Sequence, residues 1–146
     1  MVADEPKTFA AVWLKAEAVK GWLTDWEASA LYRAACSLAE DALIVEVGCF
    51  AGKSLTVLAE SGREVLAVDP LRIGDSIGKQ PIDDSVVDSL LAVISVYPRV
   101  NWLRYASTEI RRPKRIDMLH IDACHKYPYP LNDFRHFEPS LVAGSI

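Results

Sequence analysis

From residue 42 onward the chain alternates between two rhythms of apolar residues. Continuous apolar runs at 42–47, 64–68, 100–105 and 116–121 predict four strands, because strands buried on both faces of a parallel sheet lose the polar alternation of half-exposed ones. Between the first two runs, a segment opening at Gly52 and stopped by Gly62 reads as a helix. Val86, Val87, Leu90, Leu91 and Ile94 recur at helical spacing, and Pro98 ends that helix. A last helix is expected over 131–141, where Leu131, Phe134 and Leu141 share a face. The first forty residues also read as helix. Thr24 and Glu27 have the spacing of a capping box, and Leu31, Ala34, Ala35 and Leu38 continue an apolar face behind it. The stretch 70–84, with Gly74, Gly78 and Pro81, reads as a loop long enough to carry function.

Strand alternating with helix predicts an α/β fold, a doubly wound parallel sheet with helices on both faces. One domain is expected over residues 1–146, with N-terminal helices in 1–40 able to act as a lid and the α/β core in 41–146. Gly144 opens a fifth strand at which the sequence stops. A sheet cut after its fourth strand would expose a buried-type edge. The expectation is therefore a fragment, a shortened gene product, or a homo-oligomer or partner chain that covers the edge.

Composition narrows the class. Hydrophobic residues make up 51% and charged residues 25%, which excludes a disordered chain. The net charge is −4, and Arg111 to Arg115, the longest basic run, reads as a solvated loop before a strand. No nucleic acid and no membrane partner is expected. The first twenty residues mix Asp4, Glu5, Lys7, Lys15 and Glu17 into any apolar stretch, unlike a signal peptide. Cys36, Cys49 and Cys124 are odd in number and lack CxxC spacing, which fits free thiols in a reducing cytoplasm.

The chemistry concentrates at the end of the first strand, Ile44-Val45-Glu46-Val47-Gly48-Cys49-Phe50-Ala51-Gly52-Lys53-Ser54, answered by Leu66-Ala67-Val68-Asp69. A glycine turn into a helix, with a carboxylate about 20 residues on, is how parallel sheets hold a nucleotide. The dinucleotide fingerprint GxGxxG fails, since Phe50 and Lys53 stand where glycines are needed. The phosphate loop GxxxxGK[ST] matches at Gly52-Lys53-Ser54, but Val47 occupies its first glycine; Met118 to Asp122 would then be the magnesium-holding strand. The third pattern, E-x-G-x-x-x-G, matches outright at Glu46, Gly48 and Gly52.

With Asp69, that block resembles the class I S-adenosylmethionine-dependent methyltransferases. Gly21-Trp22-Leu23-Thr24 with Glu27 and Leu31-Tyr32, and Ile121-Asp122-Ala123-Cys124-His125-Lys126-Tyr127 with Asp133 beyond, are similar to one branch. That branch includes small-molecule O-methyltransferases and cephalosporin-hydroxylase-like proteins, and the resemblance covers roughly residues 20–146. It implies a Rossmann-like sheet of order 3-2-1-4 and S-adenosylmethionine as cofactor.

The resemblance also implies roles. Gly48 and Gly52, with Cys49 and Phe50, would shape the turn against the methionine part of the cofactor, and the N–H groups of Lys53 and Ser54 would hold its carboxylate. Glu46 would face the ammonium; the alternative is that it caps its own turn. Asp69 would accept both ribose hydroxyls, or else cap the loop before Pro70. Ser107, between Ala106 and Thr108, falls where the family contacts adenine; as an alternative, Ser107 or Thr108 caps a short helix to Glu109. His125 would be the base for an acceptor hydroxyl, and Asp122 would orient it or bind a divalent metal. The alternative has His125 packing on Tyr127 or Tyr129. His120 reads as a core histidine. Trp13, Trp22 and Trp26 read as core, with an acceptor lid as the other possibility. The expected function is S-adenosylmethionine-dependent methyl transfer to an oxygen of a small molecule or sugar. A non-catalytic cofactor- or partner-binding module and a phosphate-loop enzyme are the alternatives.

Overall fold

A computed structural model describes residues 8–146; Asp4, Glu5 and Lys7 of the N-terminal reading lie outside them. Two helices come first, α1 (Phe9–Glu17) and α2 (Asp25–Cys36). The α/β core follows as β1 (Leu43–Val47), α3 (Lys53–Ala59), β2 (Glu64–Val68), a small hairpin of β3 (Ser76–Ile77) and β4 (Gln80–Pro81), α4 (Asp84–Val96), β5 (Val100–Leu103), β6 (Met118–Ile121) and α5 (Tyr129–Phe137). The sheet order is β5-β2-β1-β6, all parallel, as the pattern of apolar runs and the resemblance predicted.

Each central strand buries both faces. On β1, Ile44 joins the cluster beneath α2, α3 and α4, whereas Val45 and Val47 join Phe137 and Ile116 on the α5 side. Several boundaries move inward from the expected ones, among them the end of the third strand of the sheet, at Leu103. The fourth strand starts at Met118, because Ile116 instead bridges to Leu141, and the last helix ends at Phe137 in a short 3-10 turn, Glu138–Ser140. The expected fifth strand is not formed among the described residues; Ile146 alone reaches the outer edge of β6, where its N–H donates to Asp117 O at 3.0 Å and Leu119 N–H donates to Ile146 O at 2.9 Å.

The expected capping box is present at the start of α2. Glu27 N–H donates to Thr24 Oγ1 at 3.3 Å, and Thr24 N–H donates to Glu27 Oε2 at 2.9 Å. The N-terminal helices pack on α3 through Val12, Ala16, Ala28, Tyr32 and Val57. Arg63 fastens the far end of α2, donating to the carbonyls of Cys36 and Leu38 at 3.0 and 2.6 Å. Buried Glu60 receives Lys15 Nζ at 2.7 Å and the Tyr97 hydroxyl at 2.5 Å, joining α1, α3 and the end of α4. Burial first, and then Glu60, push the Tyr97 pKa up, so the phenol keeps its donor proton.

A test follows from that junction. Glu60→Ala leaves the half-buried Tyr97 hydroxyl without its acceptor and is expected to cost about 1–2 kcal/mol. Urea unfolding checks it, and an unchanged midpoint would show the junction to be dispensable.

Candidate functional site

A cavity of about 730 Å³ opens where β1, β2, β5 and β6 end. It is lined by Gly48, Cys49, Phe50, Lys53, Ser54, Asp69, Ser107, Asp122 and His125 among others, so the topology brings together most of the residues singled out from sequence. Carboxyl ends of parallel strands are where open α/β sheets place ligands.

Backbone bonds bind the turn after β1 to both neighbouring strands: Gly48 N–H donates to Val68 O at 2.9 Å and Asp122 N–H to Val47 O at 2.8 Å. Gly48 has φ +89°, and a Cβ there would lie 2.5 Å from Asp122 O and 2.6 Å from Ala123 Cα. Glycine is required because the turn presses on the backbone after β6. Gly52 lies away from the cavity lining, at φ +97°, where a Cβ would sit 3.1 Å from Val93 Cγ2. Its place in the motif is explained by packing against α4.

Asp69 is nearly buried and is the organising group of the turn. Its Oδ2 accepts from Cys49 N–H at 2.7 Å and Phe50 N–H at 3.0 Å, and its Oδ1 accepts from Leu71 N–H at 2.9 Å. Phe50 and Leu71 are the non-glycine residues with positive φ, at 47° and 32°. A carboxylate has about four acceptor positions, so these three bonds leave one of them open. The loop-capping alternative is thus realised at the same time. The same geometry counts against the phosphate loop: the amides that would cradle a phosphate are already bonded to an anion.

Glu46 departs from expectation. It is fully buried and does not line the cavity. Its Oε1 lies 3.1 Å from His120 Nδ1, its paired neighbour on β6, and its Oε2 has no hydrogen-bond partner. Neither the ammonium-facing role nor the turn cap describes it. His120 is a core histidine as predicted, and its partner is this carboxylate. Burial pulls its pKa down, but the bond and charge of Glu46, with the charge of Asp122, outweigh burial and raise it above the ordinary value. Cys49 sits in the same region, where burial and then Glu46 and Asp69 push the thiol's pKa well up and keep it protonated.

Around the cavity, the Ser107 hydroxyl donates to the buried carboxylate of Asp133, and Ala106 N–H, not Ser107, donates to Glu109 Oε2 at 2.9 Å. Ser107 is therefore a wall residue and not a cap. At the mouth, His125 Nε2 lies 3.0 Å from Asp122 Oδ1 with its side chain 80% exposed, so the packing alternative on Tyr127 or Tyr129 does not hold. Among the described residues no three His, Cys, Asp or Glu side chains converge as a metal cluster, and Asp122 meets His125 alone. The N–H groups of Lys53 and Ser54 have no protein acceptor among the described residues.

The tryptophans divide. Trp13 packs against the N-terminal cluster, but Trp22 is 62% exposed, lines the cavity and lies 5.1 Å from the Phe50 ring, while Trp26 is 80% exposed. The core reading fails for the last two: Trp22 lies in the link between α1 and α2, and Trp26 on the outward face of α2. Sequence reasoning also missed the hairpin, whose Asp75, Ser76, Ile77 and Gly78 line the cavity. Its signal was present: Gly78, at φ +59°, begins the two-residue link between Ile77 and Gln80.

Residues 45–146 match a family described as a methyltransferase domain. The chain belongs to that family. No curated protein matches it. Among solved structures it is similar to an S-adenosylmethionine-dependent O-methyltransferase from Thermotoga maritima, with 16% identity and a TM-score of 0.64 over 95% of this chain and 48% of that one. A methyltransferase from Podospora anserina bound to S-adenosylhomocysteine gives 14% identity and 0.62 over 94% and 58%. An S-adenosylmethionine-dependent methyltransferase from Thiobacillus denitrificans, in complex with S-adenosylhomocysteine, gives 14% and 0.57 over 95% and 53%. The methyltransferase domain thus spans about half the length of these structures, and at such identities the likeness concerns the fold.

The raised pKa of His120 gives the domain a pH signature. A pKa raised on folding adds stability that is complete below the unfolded value of about 6.5 and is lost as pH rises through the folded value. Wild type should therefore lose stability relative to His120→Asn as pH rises from acidic to alkaline, read from urea unfolding at a series of pH values. Parallel curves for the two proteins would disprove a protonated pair.

Proposed function

We propose that the domain transfers a methyl group from S-adenosylmethionine to an oxygen of a small molecule or sugar. The observation that carries this reading is the His125–Asp122 pair at the mouth of the cavity that also holds the Gly48 turn and Asp69. The residues fit the cofactor. Asp69 retains one acceptor position for a ribose hydroxyl, Lys53 and Ser54 offer unbonded N–H groups to a carboxylate, and Ser107 with Asp133 forms a polar wall. When bound, S-adenosylmethionine supplies a methyl group on a sulfonium that is already an activated leaving group.

This chain's residues then have to align an acceptor and take its proton. With Asp122 ionised, His125 carries its proton on Nε2 and leaves Nδ1 as the base for an acceptor hydroxyl. Asp122 fixes that tautomer. Trp22, exposed over Phe50, offers an apolar face to the acceptor. The exposed thiols of Cys36 and Cys124 support a reducing, cytoplasmic setting. No helix of the described residues is long and apolar enough to cross a membrane.

Calorimetric titration with S-adenosylhomocysteine, with ATP–magnesium as control, tests the cofactor. Micromolar binding of the first alone is expected, and binding of the second alone would restore the phosphate-loop enzyme. Asp69→Asn should weaken S-adenosylhomocysteine by tenfold or more, and unchanged affinity would remove Asp69 from the site. His125→Ala should keep that affinity while slowing methyl transfer to a screened hydroxyl acceptor by about 10²–10⁴-fold. A full-rate variant would remove His125 as the base.

A further inference from the structure

A second groove of about 460 Å³ runs between the loop 110–115 and the end of α5. It is lined by Ile110, Arg111, Arg112, Pro113, Lys114, His136, Pro139 and Ser140, with no acidic residue among them. In a chain of net charge −4 such a lining is unexpected from composition. Four other arginines are engaged: Arg63 and Arg99 donate to backbone carbonyls, Arg104 to the carbonyls of Pro70 and Leu71, and Arg115 to Asp117. Arg111, Arg112 and Lys114 have no hydrogen-bond or ion-pair partner among the described residues.

The groove is built and not merely a frayed loop. His136 Nε2 lies 3.1 Å from Ile110 O and holds one end of the loop, leaving Nδ1 without a partner. Ser140 Oγ donates to Pro113 O at 2.6 Å and holds the middle, and Ile116 N–H donates to Ser140 O at 2.8 Å beyond it. Pro113 and Pro139 stiffen both walls. Three mutually repelling cations are thus kept on one fixed concave surface with nothing to neutralise them. Guanidinium forks match the oxygens of a phosphate in pairs, and an ammonium beside them adds a point charge.

We propose that this groove binds a phosphate-bearing small molecule, through Arg111, Arg112 and Lys114. The patch is too small and the chain too acidic for it to hold a nucleic acid backbone, whose recognition needs a longer basic track. The assignment does not depend on the methyl-transfer reading.

The test is a titration of the full chain with pyrophosphate and with inorganic phosphate at 150 mM salt, followed by backbone amide shifts. Saturable one-to-one binding of either ion is expected, with shifts at Arg111, Arg112, Lys114 and Ser140. Pyrophosphate binding tighter than phosphate would indicate a diphosphate-bearing ligand, and equal binding a monophosphate. Arg111→Gln/Arg112→Gln should weaken binding about tenfold or more, and Lys114→Gln alone by less. S-adenosylhomocysteine affinity and thermal midpoint should stay unchanged in these variants, since the side chains replaced have no partners in the fold. The proposal is overturned if no saturable binding occurs, if shifts fall on residues 48–54 instead, or if the double variant binds as wild type does. Binding confined to an RNA oligonucleotide or to anionic lipid vesicles would also overturn it.

Discussion

The carboxylate of Asp69 accepts three backbone N–H groups from two separate turns, and the cavity takes its shape from that arrangement. Two of the donors belong to Phe50 and Leu71, both held at positive φ. A left-handed conformation in a residue with a Cβ costs roughly 1–2 kcal/mol. A buried hydrogen bond to a charged group returns about 1.5–3 kcal/mol, so three such bonds suffice to hold both strained residues. Asp69 is fixed in turn, since its N–H donates to Leu103 O at 3.2 Å and its carbonyl accepts from Trp102 Nε1 at 3.0 Å. Arg104 then takes the carbonyl of Leu71 at 2.8 Å. The third strand of the sheet thereby positions a turn that follows the first one.

This explains which parts of the fold could be read from the residues in order. Strands buried on both faces announce themselves as apolar runs, and β2 begins and ends where its run does. The capping box at Thr24 and Glu27 is a contact over three residues, so its signal is local. What could not be read is decided by distant partners. Glu46 and His120 meet across 74 positions, and only the register of β1 against β6 places them side by side. The reason for Gly48 lies at Asp122 and Ala123, at the end of another strand. Trp22, in the link between α1 and α2, and Trp26, in the first turn of α2, have the composition of a core and the exposure of a surface, which local sequence cannot separate.

The two motif glycines illustrate the same point. A match to E-x-G-x-x-x-G was enough to point to the cavity, yet neither missing side chain makes room for a ligand. One gives way to backbone after β6 and the other to Val93 and Leu90 of α4. The ligand space results from these contacts indirectly, because they fix how far the turn stands from the loop that carries Asp122.

β6 presents two histidine–carboxylate pairs five residues apart in sequence, and their surroundings give them opposite capacities. His120 and Glu46 share a buried place, where an ion pair survives only if both partners stay. That pair is closed to a substrate: Glu46 has no exposed atom, and it ties β1 to β6 directly below the turn. His125 and Asp122 stand in solvent at the cavity mouth, where the attraction between them is screened. The charge of Asp122 reaches back to His120, so the carboxylate that meets His125 just after β6 also helps to hold the buried pair.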